Sequence, residues 1–135
     1  MIALLNDLCA LLSQADVDAH RVAAWLGEIL HEGELGMPYT VRPTDPHLAG
    51  ASVIVAQDGH SPLMVELNLA QPYALEALRR AFPDHSIVPR RDGREDLAAF
   101  VDLPEQPFTC AILASHDHGS AMTDFIRVRR DERIA

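Results

Sequence analysis

The feature of this sequence that most constrains its fold is a change of hydrophobic period after Gly36. Before that residue, apolar side chains recur every three to four positions, as they do along one face of an amphipathic helix. After it, in segments such as 63–69 (LMVELNL), apolar and polar residues alternate, as they do on a strand with one buried face. The sequence therefore predicts helices first and a sheet afterwards.

Two helices are predicted in the N-terminal part. The first covers residues 2–12, where the leucines form a single stripe. The second is predicted to begin at an N-cap at Asp16 and to end at Gly33, because aspartate and glycine are typical of those two helix boundaries. The outer face of this second helix would then carry Glu28 and Glu32.

An antiparallel sheet of about five to six strands is predicted for the rest of the chain, with one further helix of about ten residues beginning at Pro72. The Asp58–Gly59 pair predicts a hairpin between two of the strands. Residues 84–96 are predicted to form a polar loop with at most a brief strand at 87–88, and the segment that follows could also begin a helix. The predicted strands are 39–42, 51–56, 63–69, 97–103, 108–115 and 122–130. We therefore expect a single α+β domain over residues 1–135, with two N-terminal helices and one mid-chain helix packed on the sheet.

Charge excludes several classes of function. The net charge is −9, and all 11 basic residues are arginines. A negative field of this kind repels phosphate backbones, so neither nucleic acid nor an anionic membrane is expected as a partner. Without lysine or a glycine-rich phosphate motif, the chain is not a P-loop enzyme. No signal peptide or membrane span is recognisable, which predicts a cytoplasmic protein.

The two cysteines, Cys9 and Cys110, each lie inside an apolar segment rather than in a spaced ligand motif. In a cytoplasmic protein this pattern predicts two buried free thiols. A disulfide between them is the alternative.

The segment SHDHGS, residues 115–120, holds the most reactive side-chain types in the chain. Histidines two residues apart, His116 and His118, project to the same side of an extended chain, as in some metal sites, with Asp117 as a further ligand. No third histidine stands at a spacing that must bring it to them. The favoured explanation of these residues is a polar hairpin loop with Gly119 at positive φ. Ser115 and His116, as neighbours on a strand, would point to opposite faces, which argues against a serine triad.

The last predicted strand presents Phe125, Arg127 and Arg129 on one face, and aromatic and arginine side chains are enriched in protein interfaces. Together with Glu28 and Glu32, these residues form the predicted partner-binding set. The sequence thus favours a non-catalytic protein-binding module, such as an inhibitor, immunity-type protein, secretion chaperone or adaptor, that needs no cofactor. Its partner would be another protein or a second copy bound through the last strand. The alternative is a metal-dependent hydrolase-like enzyme that uses the 116–118 segment.

Overall fold

The computed structural model describes residues 1–133, in which an eight-stranded antiparallel sheet carries three helices on one face. The order of the strands across the sheet is β1-β2-β3-β4-β8-β7-β6-β5. In chain order the elements are α1 (Ile2–Leu12), α2 (Ala19–Leu26), β1 (Gly27–His31), β2 (Tyr39–Pro43), β3 (Leu48–Val55), β4 (Pro62–Ala74), α3 (Leu75–Ala81), β5 (His85–Pro89), β6 (Arg94–Val101), β7 (Phe108–Asp117) and β8 (Met122–Glu132).

The predicted α+β class and antiparallel sheet are confirmed, but the sheet has eight strands in the described residues rather than five to six. One additional strand is β1, which sequence analysis assigned to the second helix. That helix ends at Leu26, because at Gly27 the chain passes so close to β2 that an added Cβ would lie 2.1 Å from the carbonyl oxygen of Arg42. The other is β5, predicted as a loop, which pairs with β6 over five residues.

The third helix is shorter than predicted. Pro72 belongs to β4, which continues to pair with β8 as far as Ala74, and α3 covers only seven residues from Leu75. Pro72 lies where the register between β4 and β8 is interrupted, so its missing N–H removes no ladder hydrogen bond. The predicted hairpin at Asp58–Gly59 is confirmed, since β3 and β4 pair antiparallel and Gly59 has φ +83°.

The core lies between the helices and one face of the sheet. Leu5, Leu8 and Leu12 of α1 are fully buried, and α1 contacts β7 and β8 while α2 contacts β2 and β3. The strands contribute alternate residues, for example Leu67 and Ile112. None of the three helices in residues 1–133 combines the length and apolar character needed for a helix to cross a membrane.

A disulfide joins α1 to the sheet. Cys9 and Cys110 are both buried, as predicted, but they are bonded to each other rather than free. The reason is the docking of α1 on β7, which brings the two Cα atoms to 5.5 Å, within the usual range for a disulfide. A pair 101 residues apart in sequence gives no indication of this contact before the fold is known.

Candidate partner-binding site

The face of the sheet opposite the helices, here called the open face, holds three predicted partner-binding residues. Phe125, Arg127 and Arg129 are half-buried and alternate along β8 with Ile126 and Val128, which are fully buried on the helix side. The predicted alternation of this strand is therefore confirmed. Within residues 1–133 no helix covers the open face, so these three side chains are not sealed into the core.

A buried carboxylate lies at the centre of the open face. The side chain of Asp96, on β6, is 8% exposed. Its Oδ2 accepts a hydrogen bond from Arg127 Nη2 at 2.5 Å, and its Oδ1 accepts one from the Ser115 hydroxyl at 3.0 Å. Arg90 donates to the same hydroxyl and places its Nη1 3.6 Å from Asp96 Oδ1. A carboxylate with 8% exposure would be costly if unpaired, so these donors are necessary for its burial.

A groove with an apolar floor runs beside this ionic network. Leu113 lies directly between Ala98 and Arg127 on the neighbouring strands, while Phe100 and Val88 are 45% and 44% exposed. The groove has a volume of about 370 Å³, and Arg90, Arg127 and Arg129 stand along it. It therefore offers apolar contact and guanidinium donors within one depression.

The arginine stems also bury part of the sheet that has no helix above it. Ala111 is 0% exposed although it lies on the open face, where its neighbours on the adjacent strands are Phe100 and Arg129. Long side chains cover apolar surface in this way while keeping their charged groups at the surface. Arg129 is held by Asp131, which accepts bonds from its Nε at 2.7 Å and its Nη2 at 3.1 Å. These bonds raise the pKa of Arg129 above its usual value.

The two predicted acidic residues do not belong to this groove. Glu28 lies on the edge strand β1, and Glu32 follows that strand, so neither is on a helix. Glu28 Oε1 is 3.3 Å from Arg42 Nη1, and Glu32 Oε1 is 3.7 Å from His20 Nε2. β1 is four strands from β8, about 19 Å at the usual strand spacing. The predicted single helical surface was wrong, because Gly27 ends α2 before either glutamate.

Other arginines of the C-terminal segment stabilise the fold instead of facing the groove. Arg130 points to the helix side, where its Nε donates to Leu12 O and its Nη2 to Gln14 O, both at 2.7 Å. Its Cζ lies 3.4 Å from the centroid of the Phe108 ring, and burial lowers the pKa of its guanidinium. Arg133 donates to the β6–β7 turn. The sequence cluster of arginines is thus divided among three surfaces.

The two histidines of the SHDHGS segment do not form a metal site with other ligands in the described residues. His116 is 4% exposed and its Nδ1 lies 3.0 Å from Asp117 O, whereas the side chain of His118 is 85% exposed and bonds to Glu95. His60 precedes the start of β4, whereas residues 116–118 lie near the other end of that strand. His85 pairs with Ala99, which is opposite Ile112, so His85 is two strands from β7. Nowhere in residues 1–133 do three or more His, Cys, Asp or Glu side chains converge as a metal site requires.

In the described residues, neither Ser115 nor Cys110 is paired with a histidine base as a nucleophile requires. Ser115 and His116 are buried on opposite faces of β7, as sequence neighbours on a strand must be. Ser115 donates to Asp96, whose carboxylate is bonded to Arg127, and accepts from Arg90 rather than contacting a histidine. Cys110 has no thiol while the disulfide is closed. The positive φ of Gly119, 80°, agrees with the hairpin explanation of this segment.

The residues that sequence analysis missed are Arg90, Asp96 and Phe100. Arg90 was assigned to a loop, and Asp96 stands next to the start of the predicted strand 97–103. The sequence did contain a signal. Strand residues two positions apart share a face, so Asp96, Ala98 and Phe100 lie on one face of any strand that contains them. The sequence could not predict that β6 pairs with β7, the pairing that brings Asp96 opposite Ser115.

By architecture the chain is an α+β protein with one helix-covered and one open sheet face. No family model, no curated protein and no solved structure matches it.

Proposed function

We propose that the chain is a non-catalytic protein-binding module of the inhibitor, secretion-chaperone or adaptor kind, and that the groove of the open face is its binding surface. The observation that carries this proposal is the groove itself, where a half-exposed aromatic ring and three guanidinium groups stand on a sheet face that no described helix covers. Arginine and aromatic side chains are the types that dominate binding energy in protein interfaces.

The chemistry of the groove favours a partner segment that carries both apolar and acidic side chains. Val88 and Phe100 supply apolar area that is still exposed to solvent, and burying it on binding is favourable. Each guanidinium group has five N–H donors, and Arg127 uses one of them on Asp96. A carboxylate of the partner can bond to donors that point out of the groove. A phosphate backbone is less suitable, because the net charge of −9 repels its closely spaced charges more strongly than it repels a few carboxylates.

Arginine positions in the groove are fixed before any partner binds. Asp96 holds Arg127, Asp131 holds Arg129, and Asp92 Oδ2 lies 2.9 Å from Arg90 Nη2. Fixed side chains lose less rotamer entropy on association, which favours affinity and specificity. This arrangement supports a binding role for residues that would otherwise be solvent-exposed charges.

The test is a selection of binding peptides from a displayed random library, followed by affinity measurement with the selected peptides. We expect enrichment of peptides that combine acidic and large apolar residues, with binding weakened at least about tenfold by Arg129→Glu with Phe100→Ala, which leave the Arg127–Asp96 pair in place. Glu28→Lys with Arg42→Glu, on strands β1 and β2 of the same face, is the matched control and should leave affinity unchanged. Equal loss in both variants, or selected peptides with no acidic residue, would overturn the proposed surface.

The cytoplasmic location predicted from the sequence belongs to this proposal and can be tested through the disulfide. Disulfides are rare in the cytosol, so a cytoplasmic protein should contain Cys9 and Cys110 as thiols in the cell. Rapid acid quenching, alkylation and mass measurement would detect two alkylated cysteines. A closed disulfide in the quenched sample would assign the protein to an oxidising compartment.

The metal-dependent alternative receives no support from the geometry of residues 116–118 and is tested separately. Elemental analysis of protein purified without added metal should find less than about a tenth of an equivalent of zinc, iron or manganese if the chain is only a binding module. A stoichiometric metal lost in His116→Ala would favour the enzyme instead.

A further inference from the structure

Strand β5 lies at the edge of the sheet, and within residues 1–133 no strand pairs with its outer side. The carbonyl of Asp84 and the N–H of Arg90 bond to β6 at 3.0 and 2.9 Å, and the register between these two bonds is unbroken. In an antiparallel pair, successive residues alternate between bonding to the neighbour and pointing away from it. The N–H and C=O groups of His85 and Ile87 therefore point away from the sheet, as does the C=O of Pro89.

Strand β5 presents an exposed apolar side chain on each face of the sheet. Ile87, on the helix side, is 42% exposed, and Val88, on the open face, is 44% exposed. No residue of β5 carries a carboxylate, a guanidinium or an ammonium group. An edge strand of this kind readily pairs with another strand, and natural proteins usually protect such edges.

The opposite edge of the sheet has that protection. Strand β1 contains a bulge between Ile29 and His31, which interrupts the regular ladder. It also carries Glu28, whose charge is placed beside that of Arg42. The only comparable device in β5 is Pro89, whose missing N–H lies on the outward side and affects one end of the strand.

We infer that a second copy of this chain pairs antiparallel with β5, along its outer edge. The charges that flank the strand select this occupant, because Asp84 precedes it and Arg90 and Arg91 follow it. Antiparallel pairing of two identical segments brings the acidic end of each copy to the basic end of the other, twice by symmetry. Parallel pairing would instead bring equal charges together.

The register of the proposed pairing follows from the outward-pointing backbone groups of β5 and from the charges that flank it. With Ile87 opposite Ile87 of the second copy, the two residues exchange a reciprocal pair of N–H···O bonds. His85 N–H then faces Pro89 O of the second copy, in both directions, and Asp84 faces Arg90. A register centred on Ser86 would place Asp84 opposite Val88 and lose this charge pairing.

Pairing of this kind joins two open faces into one continuous surface, because Val88 of β5 and Arg90, which follows the strand, both line the groove. Strand β8, through which sequence analysis expected self-association, has both of its edges paired, with β4 and β7. The inference does not depend on the proposed function, since dimerisation is measured without any ligand.

Light scattering and sedimentation over a range of concentrations test the dimer. We expect the mass to rise with concentration from the 14.8 kDa of one chain towards twice that value. Ile87→Lys puts two like charges opposite each other and should weaken association at least about tenfold. Its fold is not at risk, since the side chain is exposed, and the thermal midpoint at low concentration checks this.

Cysteine crosslinking tests the register. Ile87→Cys should give a covalent dimer under mild oxidation, because opposed Cα atoms of a hydrogen-bonded pair lie about 5.5 Å apart. Leu30→Cys, equally exposed on the β1 edge, is the matched control and should remain monomeric. A constant monomer mass up to about 1 mM, a level typical of very weak association, or equal crosslinking of both variants would overturn the inference.

Discussion

The helix face and the open face of the sheet differ in how they are covered, and two neighbours on strand β7 show the difference. Ile112 lies on the helix face and Leu113 on the open face. Behind Ile112, apolar helices close the core and a disulfide fixes one of them. Around Leu113, the sheet is covered by the aliphatic parts of arginine side chains and by the buried Asp96. The first arrangement excludes water and partners alike. The second leaves charged groups at the rim, so it can contact another molecule without unfolding.

The largest expected effect comes from opening the disulfide on the helix face. The bond closes a loop of 101 residues, and loss of a bond of this kind costs about 2–5 kcal/mol. Reductant should therefore lower the free energy of unfolding of the wild-type chain by an amount within that range, which is measured as a lower denaturation midpoint at constant m-value. The Cys9→Ala, Cys110→Ala double variant is the control, because reductant should leave its midpoint unchanged.

Truncation of the two neighbours on β7 compares the faces directly. Ile112→Ala removes a side chain that is 99% buried under α1 and should cost about 3 kcal/mol. Leu113→Ala removes a half-buried side chain from the groove floor and should cost about 1 kcal/mol. Urea denaturation at constant m-value measures both. Equal losses would show that the open face is as fully enclosed as the core.

Removal of the buried carboxylate should have an intermediate effect. Asp96→Asn leaves Arg127 with a neutral acceptor and should destabilise the fold by about 2 kcal/mol, since a partly buried charge loses its counter-ion. Asp131→Asn affects the more exposed pair with Arg129 and should cost less than about 1 kcal/mol. Urea denaturation of the two variants in parallel gives the difference. The reverse order would mean that Asp96 is not the centre of the network.

The smallest effect is expected at the far end of the open face. The Glu28–Arg42 pair is 64% and 68% exposed, so Glu28→Gln should change the free energy of unfolding by no more than about 0.5 kcal/mol. The same measurement in 1 M salt should reduce even this difference, because exposed ion pairs are screened. A loss above 1.4 kcal/mol, a tenfold change in the folding equilibrium constant, would show that this edge contributes more than its exposure indicates.

Local pattern was sufficient wherever periodicity was strict. The alternation of β8 and the stripe of α1 gave both the element and its buried face, and the faces of Phe125, Arg127 and Arg129 followed from β8 alone. It failed at Gly27, where the helix ends because a distant strand passes close to that residue. It also failed at β5, where Ser86 to Val88 show no alternation because both faces of an edge strand are exposed.

The site itself was predictable only in part, because its members come from strands far apart in sequence. Arg127 and Asp96 are 31 residues apart, and Ser115 and Arg90 are 25 apart. Their meeting depends on the strand order β8-β7-β6-β5, which no short-range signal contains. For the same reason the sequence favours free thiols and leaves the Cys9–Cys110 disulfide only as the alternative.

The placement of α1 also determines when this chain can complete its fold. The helix docks on β7 and β8, and the carbonyls at its C-terminal end accept bonds from Arg130, 118 residues later. During synthesis, α1 leaves the ribosome before β7 and β8, so it has no surface on which to bury its leucines until those strands follow. Loop closure over such distances slows folding. The apolar stripe of α1 is consequently exposed for as long as the chain takes to reach β8, and it needs protection during that time.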